Sequence, residues 1–181
     1  MSEITILSYE ELISTCKTRH ANYRYLKFKD LFTLEEGKFT YKNYRINLKG
    51  DISLITYNNK IDIKIDYYDE YNTDAIYISK MIVKEDYKIL IYCKNKSINT
   101  KNSYLIKLKD EFKELVNMKY IYNYLDFNYN YILKNYYNGS NYQFKRLDLD
   151  KLGEMIIILP MKDDQTNLCN YLQKLEDNFT K

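Results

Sequence analysis

The spacing of apolar residues changes once along this chain, and that change sets what it can fold into. Before about Lys109 the pattern is strand-like. Ile61, Ile63 and Ile65 alternate with Asp62, Lys64 and Asp66, giving one greasy face at period two. Ile52–Tyr57, Ala75–Ile78, Lys88–Tyr92 and Ser103–Leu108 are further apolar or β-branched runs, the first ended by the turn pair Asn58-Asn59. Beyond Lys109 the spacing becomes helical: Met118, Ile121, Leu125, Tyr129, Ile132 and Tyr136 recur at threes and fours. Asn117 is placed to cap that helix and Asn138-Gly139 to stop it in a left-handed turn. The pattern predicts an α+β domain, mixed and strand-rich, followed by a short C-terminal helix.

The ends of the chain fit around this centre. Ser8-Tyr9-Glu10-Glu11 is a capping box, so a short helix carrying Leu12, Ile13 and Cys16 is expected near the start. Two β-like runs, Tyr25–Phe28 and Phe39–Tyr44, flank the loop Glu35–Lys38. Leu147–Leu152 reads as a short helical turn closed by Gly153, and Met155–Leu159 as a buried strand halted by Pro160, the only proline. Asp163 or Asp164 caps the last helix, on which Leu168, Leu172, Leu175 and Phe179 have the spacing of a coiled-coil seam. The resulting division is an N-terminal extension at 1–24, the main domain at 25–162 and the terminal helix at 163–181. With 181 residues in total, one domain is expected.

Much chemistry is excluded. Four glycines include no GxxxxGK[ST] loop, there is no G-x-S-x-G elbow, and the single histidine, His20, has no arranged nucleophile. Cys16, Cys93 and Cys169 are odd in number and far apart, which reads as free, partly buried thiols. Asp30 with Glu36 and Lys38 faintly echoes a nuclease triad, but acid-x-Lys triplets are frequent in a Lys-rich chain. Asp62, Asp66, Asp69, Glu70 and Asp74 lack the order of a calcium loop and read as a solvated acidic edge. No enzyme activity, metal or cofactor is expected. The start, MSEITILSYEE, is acidic and lacks the parts of a secretory signal, and no apolar run is long enough to cross a membrane. The expected location is cytoplasmic, in the host cytoplasm were the source viral.

Lys, Tyr, Ile and Asn make up nearly half of the residues, a bias that an A/T-rich genome explains. The 22 tyrosines therefore carry no message by number; only their placement does. Net charge is +3, too mild to announce a nucleic-acid binder. The charge is uneven, however. Lys94, Lys96, Lys101, Lys107 and Lys109 fall in a stretch without acids, and so do Lys134, Lys145 and Arg146 between Phe127 and Arg146. The second stretch interleaves Tyr129, Tyr131, Tyr136, Tyr137, Tyr142 and several asparagines. Cations beside amides and phenols suit phosphates and base edges; the plain alternative is a solvated lysine face over a tyrosine core.

The order of these pieces resembles the target recognition domains of type I restriction-modification specificity subunits. Lys27-Phe28-Lys29-Asp30-Leu31-Phe32 with Glu36-Gly37-Lys38 is similar to their opening "leucine-Gly-Asp-hydrophobic" turn and Gly-Lys. Asp51–Thr56 resembles a "tyrosine-Pro-leucine-isoleucine" strand, and Asp69–Ser79 a loop leading into "isoleucine-leucine-isoleucine-serine". Asn138-Gly139-Ser140-Asn141-Tyr142-Gln143 resembles the "Gly-Ser-x-Gln" loop after a tyrosine-rich helix. Leu147–Leu152 is similar to the "leucine-x-x-x-x-leucine" element that follows. Met155–Pro160, then Gln165 and Leu168–Leu175, resembles the terminal signature at the base of the spacer helix. The likeness covers about Lys27 to Phe179. Full specificity subunits have two recognition domains and two long spacer helices, whereas this sequence shows one domain and one helix. Ile78–Cys93 lacks the family's glycines, and Met161 stands where a second proline is usual.

The resemblance implies a non-catalytic domain that reads duplex DNA in the major groove and hands specificity to a methyltransferase subunit and a restriction complex. It implies reading groups at Asn141, Gln143, Lys145 and Arg146, with Lys94, Lys96 and Lys101 on strand loops. Leu168, Leu172, Leu175 and Phe179 are then the helix for a partner or for self-association as a homodimer. The alternative is a protein-interaction or structural module on the same fold. DNA reading predicts that the two acid-free stretches share one concave face; the module predicts dispersed lysines and an exposed apolar patch.

Overall fold

The computed structural model describes residues 23–39, 50–56, 63–65, 71–82, 88–139 and 144–179. The helix expected around Ser8–Cys16, the Asn58-Asn59 turn, residues 40–44 of the second β-like run, and Asp62, Asp66, Asp69 and Glu70 lie outside these. In chain order the strands are β1 (Arg24–Lys27), β2 (Phe32–Glu36), β3 (Ile52–Ile55), β4 (Ile63–Ile65), β5 (Ala75–Ser79), β6 (Met81–Ile82), β7 (Leu90–Cys93), β8 (Ser97–Asn99), β9 (Ser103–Leu108), β10 (Tyr137–Asn138), β11 (Lys145–Leu147) and β12 (Ile156–Leu159). The helices are α1 (Phe28–Leu31), α2 (Met118–Phe127), α3 (Tyr129–Asn135), α4 (Leu149–Gly153) and α5 (Lys162–Phe179).

An antiparallel sheet in the order β2-β9-β5-β7 forms the centre. Every residue of β5 is buried, which explains why Ala75–Ile78 is apolar throughout rather than alternating. Ile76 and Ile78, with Leu90 and Ile106, face a large core closed by α2, α3 and β12. Ala75 and Tyr77, with Ile91, Cys93 and Leu105, face a second cluster that Ile55 completes. Beyond it, β4-β3-β8 encloses a third cluster of Phe39, Ile52, Leu54, Ile65 and Ile98. Cys93 and Cys169 are free thiols, both buried; burial pushes Cys93 up to about 11.

Four expectations shift for local reasons. Phe28 does not end a strand. It starts α1, because burying both Phe28 and Leu31 requires helical spacing, and its N–H donates to Met155 O at 2.7 Å. The expected single helix is α2 and α3, parted at Asn128, whose Nδ2 donates to Tyr124 O at 2.8 Å in competition with its own backbone N–H at 3.2 Å. Asn138-Gly139 is not a helix stop, since α3 ends at Asn135 and Asn138 belongs to β10. Asp163 and Asp164 sit inside the first turn of α5, where they favour the helix dipole instead of capping it. Strands β2 and β8 carry no clear alternation and are seen only in three dimensions.

Side chains supply many backbone partners between these elements. Tyr120 and Tyr124, one turn apart on α2, donate hydroxyls to Ile158 O (2.6 Å) and Ile156 O (3.0 Å). They act as the missing neighbour of β12, which otherwise pairs only with β1. Gln165 on α5 is fully buried. Its Nε2 donates to Leu115 O (2.9 Å) and Pro160 O (2.8 Å), and its Oε1 accepts from Asn117 N (2.8 Å). Asn117 in turn caps α2, accepting from Lys119 N and Tyr120 N. Substituting Gln165→Leu strands two carbonyls and one N–H in the interior. The expected loss is about 3 kcal/mol, a fall in Tm of roughly 6–12 °C read by thermal denaturation.

Candidate nucleic-acid interface

At Ser79-Lys80 the central strand leaves its sheet and enters a second one, ordered β10-β11-β6. Three bonds fix the junction. Lys80 N–H donates to Asn102 O (3.0 Å), Leu147 N–H donates to Lys80 O (2.9 Å), and the Tyr137 hydroxyl donates to Ser79 O (2.6 Å). Burial raises the Tyr137 phenol far above its ordinary range, so it stays a donor. Register then assigns the faces. Tyr137, Leu147 and Ile82 point inward and are buried, with Lys145 beside them half-buried. Asn138, Met81 and Arg146 point outward, Arg146 exposed. Lys145 and Arg146 thus leave opposite faces of one strand.

The cations fall into two kinds. Lys80 pairs with Glu36 and lies over the Tyr104 ring at 4.6 Å. Lys96 pairs with Asp51 at 3.0 Å and lies over the Tyr71 ring at 5.0 Å. Lys96 holds the Asp51 carboxyl below its usual range. Lys107 pairs with Glu35 at 2.7 Å, because β2 and β9 bring them together. The stretch from Lys94 to Lys109 lacks acids in sequence, but neighbouring strands supply them. Among the described residues, Lys94, Lys101, Lys145 and Arg146 have no carboxylate partner, and Lys94, Lys101 and Arg146 are exposed.

These four do not share one place. Lys94 O accepts from Asp74 N at one end of β5, and Asn102 O accepts from Lys80 N at the other. Six residue steps separate Asp74 from Lys80, about 20 Å of strand. Lys94 and the neutralised Lys96 lie at the first end; Lys101 lies at the second, with Lys145 and Arg146. Asn141 and Gln143 lie outside the described residues. Their described flanks, Gly139 and Phe144, belong to the second end. A Cβ on Gly139 would stand 2.8 Å from Phe144 O, which requires glycine there.

The tyrosines are largely structural: Tyr136 and Tyr137 are buried, and Tyr131, exposed, meets Tyr136 edge-on at 5.7 Å. Asp30 on α1 and Glu36 at the far end of β2 do not converge, and Glu36 already engages Lys80. A groove of about 740 Å³ between β2 and Tyr71 is lined by the neutral pair Glu35–Lys107. On α5, Leu168 is only 1% exposed and belongs to the main core. Leu172 and Leu175 are half-buried, and Phe179 ends the helix. Sequence reasoning passed over Phe144, 59% exposed beside Lys145, and Asp148. Counting back by twos from buried Leu147 would have separated the inward residues from Arg146 and Phe144.

A family model described as the type I restriction modification DNA specificity domain matches residues 21–181. A search of the curated proteins found no match. Among solved structures, the chain is similar to a type I restriction-modification system S subunit from M. genitalium. The identity is 16%, the TM-score 0.68, and the match covers 89% of this chain and 41% of that one. It is also similar to the HsdS subunit from Thermoanaerobacter tengcongensis, at 12% identity and TM-score 0.57, over 93% of this chain and 43% of that one. A third structure, from work on complex assembly and conformational transition of the type I R-M system, gives 11% identity and TM-score 0.62. That match covers 92% of this chain and 43% of the other. The chain spans about two fifths of each of these proteins. At such identities the likeness is one of fold, and the fold is the mixed, strand-rich one expected from the sequence.

Asp148 links this ribbon to the helix after it. Its carboxylate accepts from Lys151 N at 3.1 Å, capping α4, and from Asn138 Nδ2 at 2.7 Å on β10. The Lys151 N–H is the main reason its pKa lies below the ordinary value. A depressed carboxylate pKa stabilises the fold above its unfolded pKa and ceases to do so as pH falls through the folded one. Asp148→Ala should therefore lower the urea midpoint at pH 7. The gap to wild type should narrow as pH falls below about 3.9.

Proposed function

The chain belongs to the family of type I restriction modification DNA specificity domains, and we propose that it binds duplex DNA sequence-specifically as one recognition unit and catalyses no reaction itself. The observation that carries this is the presence of exposed Lys101 and Arg146 at the second end of β5 without carboxylate partners among the described residues, with Lys145, half-buried, on the opposite face of β11 from Arg146. Phosphate contact needs cations that are not already neutralised. Arg146, exposed on the outward face, has the planar fork for two bonds to a guanine edge. Lys101 and Lys145 suit phosphates as point charges. Lys94, some 20 Å away, would contact a second place about six base pairs along, since the duplex rises about 3.4 Å per base pair. Asn141 and Gln143 have amide edges suited to adenine. Lys96, already held by Asp51 and Tyr71, contributes shape more than charge.

In this reading the domain directs a methyltransferase subunit and a restriction complex. Leu172, Leu175 and Phe179 of α5 offer the docking or self-association surface. Leu168 instead holds the base of the helix to its own domain. A second reading is favoured by two observations: the cations of the two acid-free stretches do not share one face, contrary to what DNA reading predicts, and there is an exposed apolar patch. On the outer face of the β1–β12 ribbon, Tyr25 is 62% and Ile156 44% exposed, with Ile158 beside them. Such an apolar face suits a protein contact, as a module without DNA reading would have.

Fluorescence anisotropy on a random-sequence duplex across a salt series tests the choice. Affinity should fall linearly in log salt. Lys101→Ala should lower the slope by about one, Lys96→Ala should leave it nearly unchanged, and Arg146→Ala should relax the sequence preference of binding to a selected duplex. Reversing charge at Lys145 and Arg146 together should abolish binding. Absence of binding at low salt would select the protein-interaction reading instead.

A further inference from the structure

We infer that Phe144 contacts thymine through its C5-methyl group, making the outward face of β10-β11-β6 a reader of T-containing sequence. The inference deepens the duplex-binding reading and rests on it. Phe144 is 59% exposed and carries no polar handle that would explain a place in water. It lies one residue before β11 and two before Arg146, the interval that brings side chains back to one side where extended backbone leads into a strand. The outward residues Arg146, Met81 and Asn138 share that face through their register, and no carboxylate belongs to those three positions.

The backbone beneath the ring is held. The missing Cβ of Gly139 lets Phe144 O approach, and Leu147 N–H is fixed on Lys80 O. With Lys101 on phosphate and Arg146 on a base edge at this end of the sheet, the ring is carried against the groove with them. The base edges in the major groove present donors and acceptors, the C5–H of cytosine and, as their largest apolar group, the thymine methyl. A phenyl ring can bond none of the donors or acceptors; the methyl is the largest apolar partner left to it.

The test is a cycle of protein and DNA changes, read by anisotropy. The duplexes are one selected from a random pool and the same sequence with uracil replacing every thymine. Wild type should lose about four-fold in affinity for each methyl that Phe144 touches, the equivalent of one buried methylene. Phe144→Ala should bind the thymine duplex as weakly as wild type binds the uracil duplex. It should no longer distinguish the two, and its salt slope should be unchanged because no counterion is involved. Phe144→Leu should recover part of the discrimination. An exposed ring is not needed for folding, so the Tm of both variants should match wild type. Equal thymine preference in wild type and Phe144→Ala would overturn the inference while leaving duplex binding intact. Failure of wild type to bind any duplex would overturn both.

Discussion

One buried amide holds the strand-rich part of the chain to its helices. Gln165 lies where α5 begins, where β12 has just ended and where α2 starts, and each of these leaves backbone groups unpaired. Its three hydrogen bonds, to Leu115 O, Pro160 O and Asn117 N, satisfy all three places at once. A leucine would fill the same volume and leave all three backbone groups without this partner, the Pro160 carbonyl in a buried place. The amide therefore fixes the direction of α5 relative to α2. With α2 fixed, the Tyr120 and Tyr124 hydroxyls meet the outer carbonyls of β12, and the core beneath them closes.

The tyrosines follow the same logic. Tyr77 bonds Ser97 across the second cluster at 2.9 Å, and burial pushes its phenol up to about 12. Tyr137 reaches Ser79 O just where β5 changes sheets. In each case an aromatic body fills a core position while the hydroxyl answers a polar group that the turn or strand end would otherwise strand. Phenylalanine would pack as well and leave that group unanswered. A composition that genome bias alone could account for thus becomes a set of specific ties, and base stacking is not what most of these rings do.

What could be read beforehand depended on how local its cause was. Ser103–Leu108 coincides with β9 because its pattern is a property of the strand itself. Asn117 capping α2 and the stop at Pro160 are likewise set within a few residues. Phe28 and Leu31 were not separable from a strand end by pattern, since only the Met155 carbonyl and the core behind it select the helical turn. Met155–Leu159 read as fully buried, yet Ile156 faces outward because β12 alternates, with Ile157 and Leu159 taking the face that lies on the core. The charges failed for a similar reason. A stretch of lysines shows no acid nearby in sequence, but Glu35 and Asp51 arrive through strand pairing.

That same pairing separates two tasks. Lys80, Lys96 and Lys107 are held by carboxylates, two of them also over rings, and their removal would disturb the sheets. Arg146 stands on the outward face of a three-stranded sheet whose inward face, through Tyr137, Leu147 and Ile82, joins the core, and exposed Phe144 directly precedes the strand. Because alternation along β11 sends successive side chains to opposite sides, a substitution at 146 alters the outer surface without touching the Lys80–Leu147 bond that anchors the strand. Gln165 and the Tyr120 and Tyr124 ties lie on other elements, and Tyr137 holds the sheet from its inward face. A surface so divided can change what it contacts while the scaffold beneath it stays the same, which is what recognition of different sequences on one fold requires.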